Sequence, residues 1–374
     1  MPMGLIVMRW DERIGVEILA TYPEDAEIKE KTLMQIYSQH EFSGSAGMVS
    51  LTAGSTNLAS YYTGPETSIY IVLVLSLDED GEAYEEGLVE IARQVLMNTE
   101  SEELEKILPS LFQRLSVYPT LNLEQRIAMI FNSETKRMIM KRLREETLLA
   151  KSEISIWMKD VYTEGFVDID NLIQSLVRLD LVKIASVKGL TSDVVFLTGD
   201  ILALRVPPED LVKDPVGRHI PASLKDAYLT EVRNYFKEYE ISEKDSLKII
   251  DEVILEPQVY EVLKLLRNAI VTRNDIEKLK KKGVDDVNMA LKHLWENKMI
   301  SVLQDENGTE YYGLISDFYV DRIYPKYEVN QIRQHYEQRT KNPQALVKAL
   351  ELLKEEFYAQ RKKKSGAEEA EMEA

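Results

Sequence analysis

The sequence predicts an α+β protein of several domains. An N-terminal domain built on an antiparallel sheet is followed by two copies of a small helix-rich module and a helical tail. Three observations carry this reading. Residues 1–118 run as strand, strand, helix, three strands and two helices, judged by whether apolar residues recur with period 2 or period 3.6. The rest of the chain superposes on itself at a shift of 118 residues. Near the end, Leu346, Leu350, Leu353 and Phe357 form one apolar helical seam. The 374 residues leave room for two to three domains at ~150 residues each. A hydrophobic share of 44% with 29% charged residues is an ordinary globular mixture.

In the first domain, residues 5–9 form an apolar strand, Asp11-Glu12-Arg13 turns the chain, and residues 15–22 return as a hairpin partner. Pro23 and Glu24-Asp25 suit a helix start, and Ile28, Leu33, Ile36 and Tyr37 follow helical spacing. Strands at 48–53 and 57–63 are separated by Gly54-Ser55-Thr56. After Gly64-Pro65, residues 69–77 are continuously apolar, as a central strand is. Asp78-Glu79-Asp80 then opens a helix carrying Leu88, Ile91, Ala92 and Leu96. A last helix, from about residue 101, carries Leu104, Ile107, Leu108 and Leu111.

This β-β-α-β-β-β-α-α order resembles the longin family, whose domain is a five-stranded antiparallel sheet with helices on both faces. The likeness covers residues 1–118 and rests on element order and length. The related roadblock fold places a helix before the first strand, whereas this chain starts with a strand. The longin resemblance implies a platform for protein partners, small GTPases and trafficking factors among them. A plain α/β domain used for self-association is the alternative.

The repeat aligns Gly165 with Gly283, Ile173 with Leu291, Leu176 with Leu294, and Leu181, Val182 and Ile184 with Met299, Ile300 and Val302. After one residue is lost the shift becomes 117, and Leu197, Asp200 and Arg205 fall on Leu314, Asp317 and Arg322. Each copy reads as three helices, the second ended by glycine, and then a two-stranded ribbon. The helices fall at 134–146, 153–163 and 169–179, and at 259–268, 274–281 and 286–296. The ribbons pair 181–187 with 194–197 and 299–303 with 310–314, where Asp305-Glu306-Asn307-Gly308 is a hairpin signal.

This pattern resembles the winged-helix family, twice. That family's helix-turn-helix can place its third helix in the DNA major groove, and its members also serve as protein-docking modules. In the first copy Asn171, Gln174, Ser175 and Arg178 offer base-reading side chains. Lys136 and Arg137 on the first helix, with Lys141, Arg142 and Arg144, and Lys183 and Lys188 on the wing, supply cations for phosphates. Against DNA stand Asp168 and Asp170, and in the second copy Asp285 and Asp286, best read as helix caps. The second wing, with Asp305, Glu306 and Glu310, has the wrong sign for phosphate. The run of Lys278, Lys280, Lys281 and Lys282 argues the other way, or serves the helix dipole.

The domain boundaries follow: 1–118, first module 119–208, helical linker 209–254, second module 255–325, C-terminal helices 326–364 and a disordered acidic tail 365–374. The apolar seam packs on its own domain or makes a homodimer.

The net charge is -18, and residues 1–118 hold most of it, with 7 basic against 20 acidic residues. The remainder carries 39 basic and 44 acidic residues, so total charge does not decide what the modules bind. Cysteine is absent, which excludes disulfides, thiolate catalysis and Cys-based metal centres. No signal peptide is legible, and the 69–77 run is far short of the ~20 residues of a spanning helix. A cytoplasmic protein is expected.

There is no GxGxxG or GxxxxGK[ST] loop, and residues 42–47 follow a helix rather than a strand, so no nucleotide site is expected. His40, His219, His293 and His335 are scattered, so no metal or other cofactor is expected. The reading is a non-enzymatic adaptor, with a DNA-binding transcription regulator as the alternative.

Overall fold

A computed structural model describes residues 2–372 except 12, 14, 25, 27, 44, 45, 55, 100–102, 163–168 and 285. Gly165, Asp168 and Asp285, with Glu12, Asp25, Ser55 and the Gly44-Ser45 pair, therefore lie outside the described residues. The chain is mixed α+β and divides into two compact units. One comprises residues 1–121 and 155–175, the other residues 122–154 and 176–374.

In the first unit, β1 (Gly4–Asp11) and β2 (Gly15–Tyr22) form a hairpin, followed by α1 (Glu30–Ser43). Then come β3 (Gly47–Ala53), β4 (Thr56–Tyr62), β5 (Ile69–Leu75), α2 (Glu85–Asn98) and α3 (Glu103–Val117). The sheet order is β2-β1-β5-β4-β3, and every pairing is antiparallel. β5 lies at the centre and is buried along its whole length, as its continuous apolar run requires. Period-2 alternation divides its neighbours between two cores. Leu5, Val7, Ala59 and Tyr61 meet Leu88, Ile91, Leu104 and Leu108 of α2 and α3. Ile6, Met8, Leu58 and Tyr62 meet Leu33 and Ile36 of α1.

Two helix starts differ from the sequence expectation. The helix expected at Pro23 begins at Glu30, because the segment first makes a turn in which Ala26 N–H donates to the Pro23 carbonyl. The carboxylates of 78–80 do not open α2 directly. Asp80 accepts from Glu82 N–H and caps a 3₁₀ turn (Gly81–Tyr84), while Glu79 accepts from the Tyr84 hydroxyl at 2.6 Å.

His40 of α1 is fully buried and lies 3.0 Å (Nε2) from Ser60 Oγ, beside the rings of Tyr62 and Tyr70. Burial holds its pKa down at about 4, the Ser60 contact opposing weakly.

The second unit opens with α4 (Leu123–Asn132) and α5 (Glu134–Glu146). It continues through β6 (Leu148–Ala150) into α6 (Lys151–Val161) and α7 (Ile169–Arg178), of which residues 155–175 belong to the first unit. β7 (Val182–Ala185), β8 (Val194–Leu197) and β9 (Asp200–Val206) follow. The segment between the repeats holds α8 (Glu209–Lys213), α9 (Lys225–Glu238) and α10 (Glu243–Ile249), the last running on as a π turn. The second repeat has α11 (Pro257–Asn268), β10 (Val271–Thr272), α12 (Arg273–Glu277), a 3₁₀ segment (Lys278–Lys282), α13 (Val287–Glu296), β11 (Ile300–Gln304) and β12 (Glu310–Leu314). β13 (Asp317–Ile323), α14 (Glu328–Gln338) and α15 (Pro343–Met372) complete the chain.

Helix and strand types recur in the same order in both repeats. Each has a three-stranded sheet, β6-β8-β7 and β10-β12-β11, whose short first strand sequence patterning did not reveal. Gly283 ends its helical segment in the left-handed conformation expected of it. Asp180 and Lys298 share an unusual positive φ, 54° and 52°, after the third helix of each repeat. α15 continues as helix through Met372, past residue 365, where the sequence predicts disorder.

β9 pairs antiparallel with β13, and the register sets Ala203 opposite Val320, its own repeat equivalent. The ribbon is therefore the same strand twice, paired with itself about a local two-fold. Two pairs of arginines repeat that symmetry. Arg144 and Arg267, late in the first helix of each repeat, bond Asp200 and Asp317 at 2.8 and 2.9 Å through Nε. Arg205 and Arg322, on the strands themselves, each reach across to the other repeat. Arg205 donates to the Asn297 carbonyl at 2.7 Å and Arg322 to the Asp180 carbonyl at 3.0 Å. Arg205 also makes a forked pair with Asp245 at 2.7 and 2.8 Å, and Arg322 a 2.7 Å pair with buried Glu356 of α15. Burial alone would lower the Arg267 pKa, but Glu124 and Asp317 hold it above the ordinary guanidinium range.

Arg205 is buried, so its removal strands Asp245 and the Asn297 carbonyl. Arg205→Ala is expected to destabilise the second unit by about 3–4 kcal/mol. Hydrogen exchange should show faster opening of β9 and β13 with β1 and β5 unchanged. In the first unit, a histidine that resists protonation loses stability as pH falls from 6.5 through about 4, because only the unfolded chain takes up the proton there. His40→Leu should flatten that acid limb of the urea-denaturation profile, whose depth is up to about 3 kcal/mol.

Candidate functional site

The eight side chains proposed for DNA divide sharply. Gln174 and Arg178 are exposed on α7, and Lys188 is exposed in the β7–β8 hairpin beside Gly189, whose φ is 89°. The side chain of Asn171 lies outside the described residues. The other four are buried or bonded within the fold. Ser175 is buried and its hydroxyl donates to the Leu172 carbonyl at 2.8 Å, the usual back-bond of a mid-helix serine. Lys136 is 7% exposed, on the inward face of α5 with Ile139, Met140 and Leu143. Arg137 donates at 2.8 Å to both the Phe131 and Asn132 carbonyls, closing the C-terminal end of α4, and lies 3.3 Å from Glu243. Lys183 stands 4.0 and 3.9 Å from Glu355 and Glu356.

The remaining basic residues of α5 follow the same pattern. Arg142 bonds Glu153 at 2.9 Å and Arg144 bonds Asp200, while Lys141 is exposed, with no acid among the described residues within bonding distance. In the second repeat Asp286 does cap α13, accepting from Met289 N–H at 2.9 Å. Lys278 pairs with Asp275 at 2.8 Å, and Asp305 is turned inward on its hairpin, accepting from Asn307 and Thr309 N–H. The exposed face of α13 carries Asn288, Lys292 and Trp295, the last 63% exposed.

Folding brings together groups that sequence spacing could not join. His40 and Ser60 form a histidine–serine pair, yet both are buried to within 1% of full enclosure, so no substrate reaches them. Among the described residues no group of three or more His, Cys, Asp or Glu is placed to hold a metal ion. No helix among them is long and apolar enough to cross a membrane.

A second assembly surrounds the start of β9. Asp200 accepts from Arg144 and from the Tyr327 hydroxyl, at 2.8 and 2.7 Å. Beside it Glu328, the first residue of α14, is wholly buried, and among the described residues neither of its carboxylate oxygens has a partner in hydrogen-bond geometry, the Thr147 hydroxyl lying near but not bonded. Burial pushes its pKa up to about 8, the Thr147 hydroxyl opposing and the Asp200 carboxylate adding to the rise. α14 and α15 are held here by Ile332, Leu346, Ala349 and Leu353 packed on Leu148, Val194 and Phe196. The apolar seam is thus divided. Leu346 and Leu353 serve this core, while Leu350 and Phe357 are 41% and 43% exposed.

On the β9–β13 ribbon, Leu202, Leu204 and Tyr319 share one face. Leu202 and Tyr319 remain 39% and 40% exposed, beside an open groove of about 360 Å³ that Leu123 and Val206 border.

No protein-family model matches the chain, and no curated protein matches it in sequence.

Glu328 makes alkaline pH unfavourable. Its raised pKa means that the folded state holds a proton which the unfolded chain releases from about pH 4.5 upward. The stability it contributes is full below that point and lost as pH rises through about 8. Glu328→Gln keeps the shape and removes the titration. The variant should be more stable than the parent by up to about 4 kcal/mol at pH 8 and nearly equal to it at pH 4.5, read by urea denaturation.

Proposed function

We propose that the chain is a non-catalytic cytoplasmic adaptor: a longin-like platform followed by tandem winged-helix modules that dock protein partners, small GTPases among them. The observation that carries the reading is the fate of the cations on the first helix and first wing strand of the first repeat. Arg142, Arg144 and Lys183 face acids of the protein, and Lys136 is buried, so this basic stretch is largely taken up by the fold rather than left for a phosphate backbone. The longin-like reading is supported by the sheet order β2-β1-β5-β4-β3, with α1 on one face and α2 and α3 on the other. The winged-helix reading is supported by the twice-repeated element order and the three-stranded sheet closing each repeat. The exposed apolar residues Leu202 and Tyr319, and Trp295 on α13, favour protein over DNA as the occupant of these surfaces.

The second reading is a DNA-binding regulator, favoured by one observation: Gln174, Arg178 and Lys188 are exposed on the helix and wing where a reader would place them.

Fluorescence anisotropy of a labelled mixed-sequence duplex with the full chain separates the two. The adaptor reading expects a Kd weaker than about 10 μM even at low salt, with no change on Arg178→Ala. Sub-micromolar, steeply salt-sensitive binding that Arg178→Ala abolishes would establish the second reading.

A further inference from the structure

α5 carries one outward stripe that its internal bonds do not exhaust. Glu134, Arg137, Met138, Lys141 and Arg144 recur at helical spacing and look onto a cavity of about 230 Å³. The cavity floor is apolar. Ile130 from the end of α4, Met140 from α5 and Ile201 from the start of β9 are each under 8% exposed. Phe131 and Met138 extend this apolar lining, and Glu243, the first residue of α10, stands at the rim.

Three features of this lining point to one ligand chemistry. Among the described residues Lys141 has no acid partner, and the Arg137 guanidinium, fixed by two carbonyls, has the exposed Glu243 carboxylate 3.3 Å from its Nε. These two make a subsite for a carboxylate. Glu134 has no cation among the described residues within ion-pair distance, and with Glu243 it makes a subsite for an ammonium group. The floor takes an apolar side chain. A volume of about 230 Å³ equals the liquid share of roughly eight waters, the size of a molecule of about eight to ten heavy atoms. A simple amphipathic anion leaves the two glutamates without a role, and an apolar amine leaves Lys141 and Arg137 without one. A free α-amino acid with an apolar side chain uses all three.

We infer that this cavity binds an apolar α-amino acid as its zwitterion: the carboxylate on Lys141 and Arg137, the ammonium on Glu134 and Glu243, the side chain on Ile130, Met140 and Ile201. The inference goes beyond the docking function proposed above, and none of Leu202, Tyr319 and Trp295, the exposed apolar residues cited for docking, lines this cavity.

Met138 and Met140 provide a local readout. The full chain, labelled with ¹³C at the methionine methyls, is titrated with L-leucine, L-methionine and L-phenylalanine, the two resonances being assigned by Met138→Leu and Met140→Leu. Saturable shifts of both resonances are expected at or below about 1 mM with at least one of these acids. N-acetyl-L-leucine and L-leucinamide, each lacking one charge, should bind at least tenfold more weakly than L-leucine. Lys141→Glu changes an exposed residue and should also weaken binding at least tenfold, with the methyl spectrum otherwise preserved. Three results would overturn the inference: no saturable shift with any of the three acids up to 10 mM, capped ligands binding as well as the free acid, or Lys141→Glu binding unchanged.

Discussion

The second unit is organised around a strand that pairs with its own copy. Because Ala203 faces Val320, its repeat equivalent, the arginine bonds on one side of the ribbon recur on the other. Arg144 and Arg267 anchor the strand starts through Asp200 and Asp317, while Arg205 and Arg322 tie each strand to the opposite repeat. This is the geometry of an isologous interface, normally made between two chains, contained here within one. The relation of the two repeats is set by these reciprocal bonds, and the segment between them packs to serve them, with Asp245 of α10 holding Arg205.

The same bonds take up the arginines nearest the ribbon: Arg144, Arg205, Arg267 and Arg322 are all buried or half-buried. A buried guanidinium needs a partner for every donor, and the partners here are carboxylates and helix-end carbonyls of the protein itself. Arg267 alone bonds Glu124, Asp317 and the Phe318 carbonyl. These arginines are structural mortar, whereas Lys141 makes no ion pair among the described residues. Glu328 is the converse, a carboxyl placed where no cation reaches, held at the root of α14 by the packing around it.

Much of this architecture is legible in sequence. The five strands of the first domain, the repeat, Gly283 at its left-handed position and Asp286 as a cap all follow from local pattern, because turns, caps and periodicity are set by neighbours in the chain. The ribbon does not follow. β9 and β13 are 117 residues apart, and each reads alone as the tail of a module; only their equivalence in the repeat hinted that they share a role. β6 and β10, at three and two residues, are too short to show a period. Residue type places Lys136 and Ser175 in solvent, yet both face inward. Helical position decides burial, and a lysine stem tolerates an apolar surface if its head finds a way out. His40 and Ser60 meet across α1 and β4, a proximity that no spacing encodes.

The ribbon also sets a timetable for synthesis. β9 is complete at Val206, but its partner begins at Asp317, about 110 residues later. At roughly 5–20 residues per second the ribosome leaves β9 unpaired for on the order of 5–20 s. During that interval it is a bare edge strand carrying Leu202 and Leu204. The two-fold that later joins it to β13 would equally join it to β9 of a neighbouring nascent chain, Ala203 against Ala203. A protein built this way depends on the second half of its own translation to protect the first from its polysome neighbours.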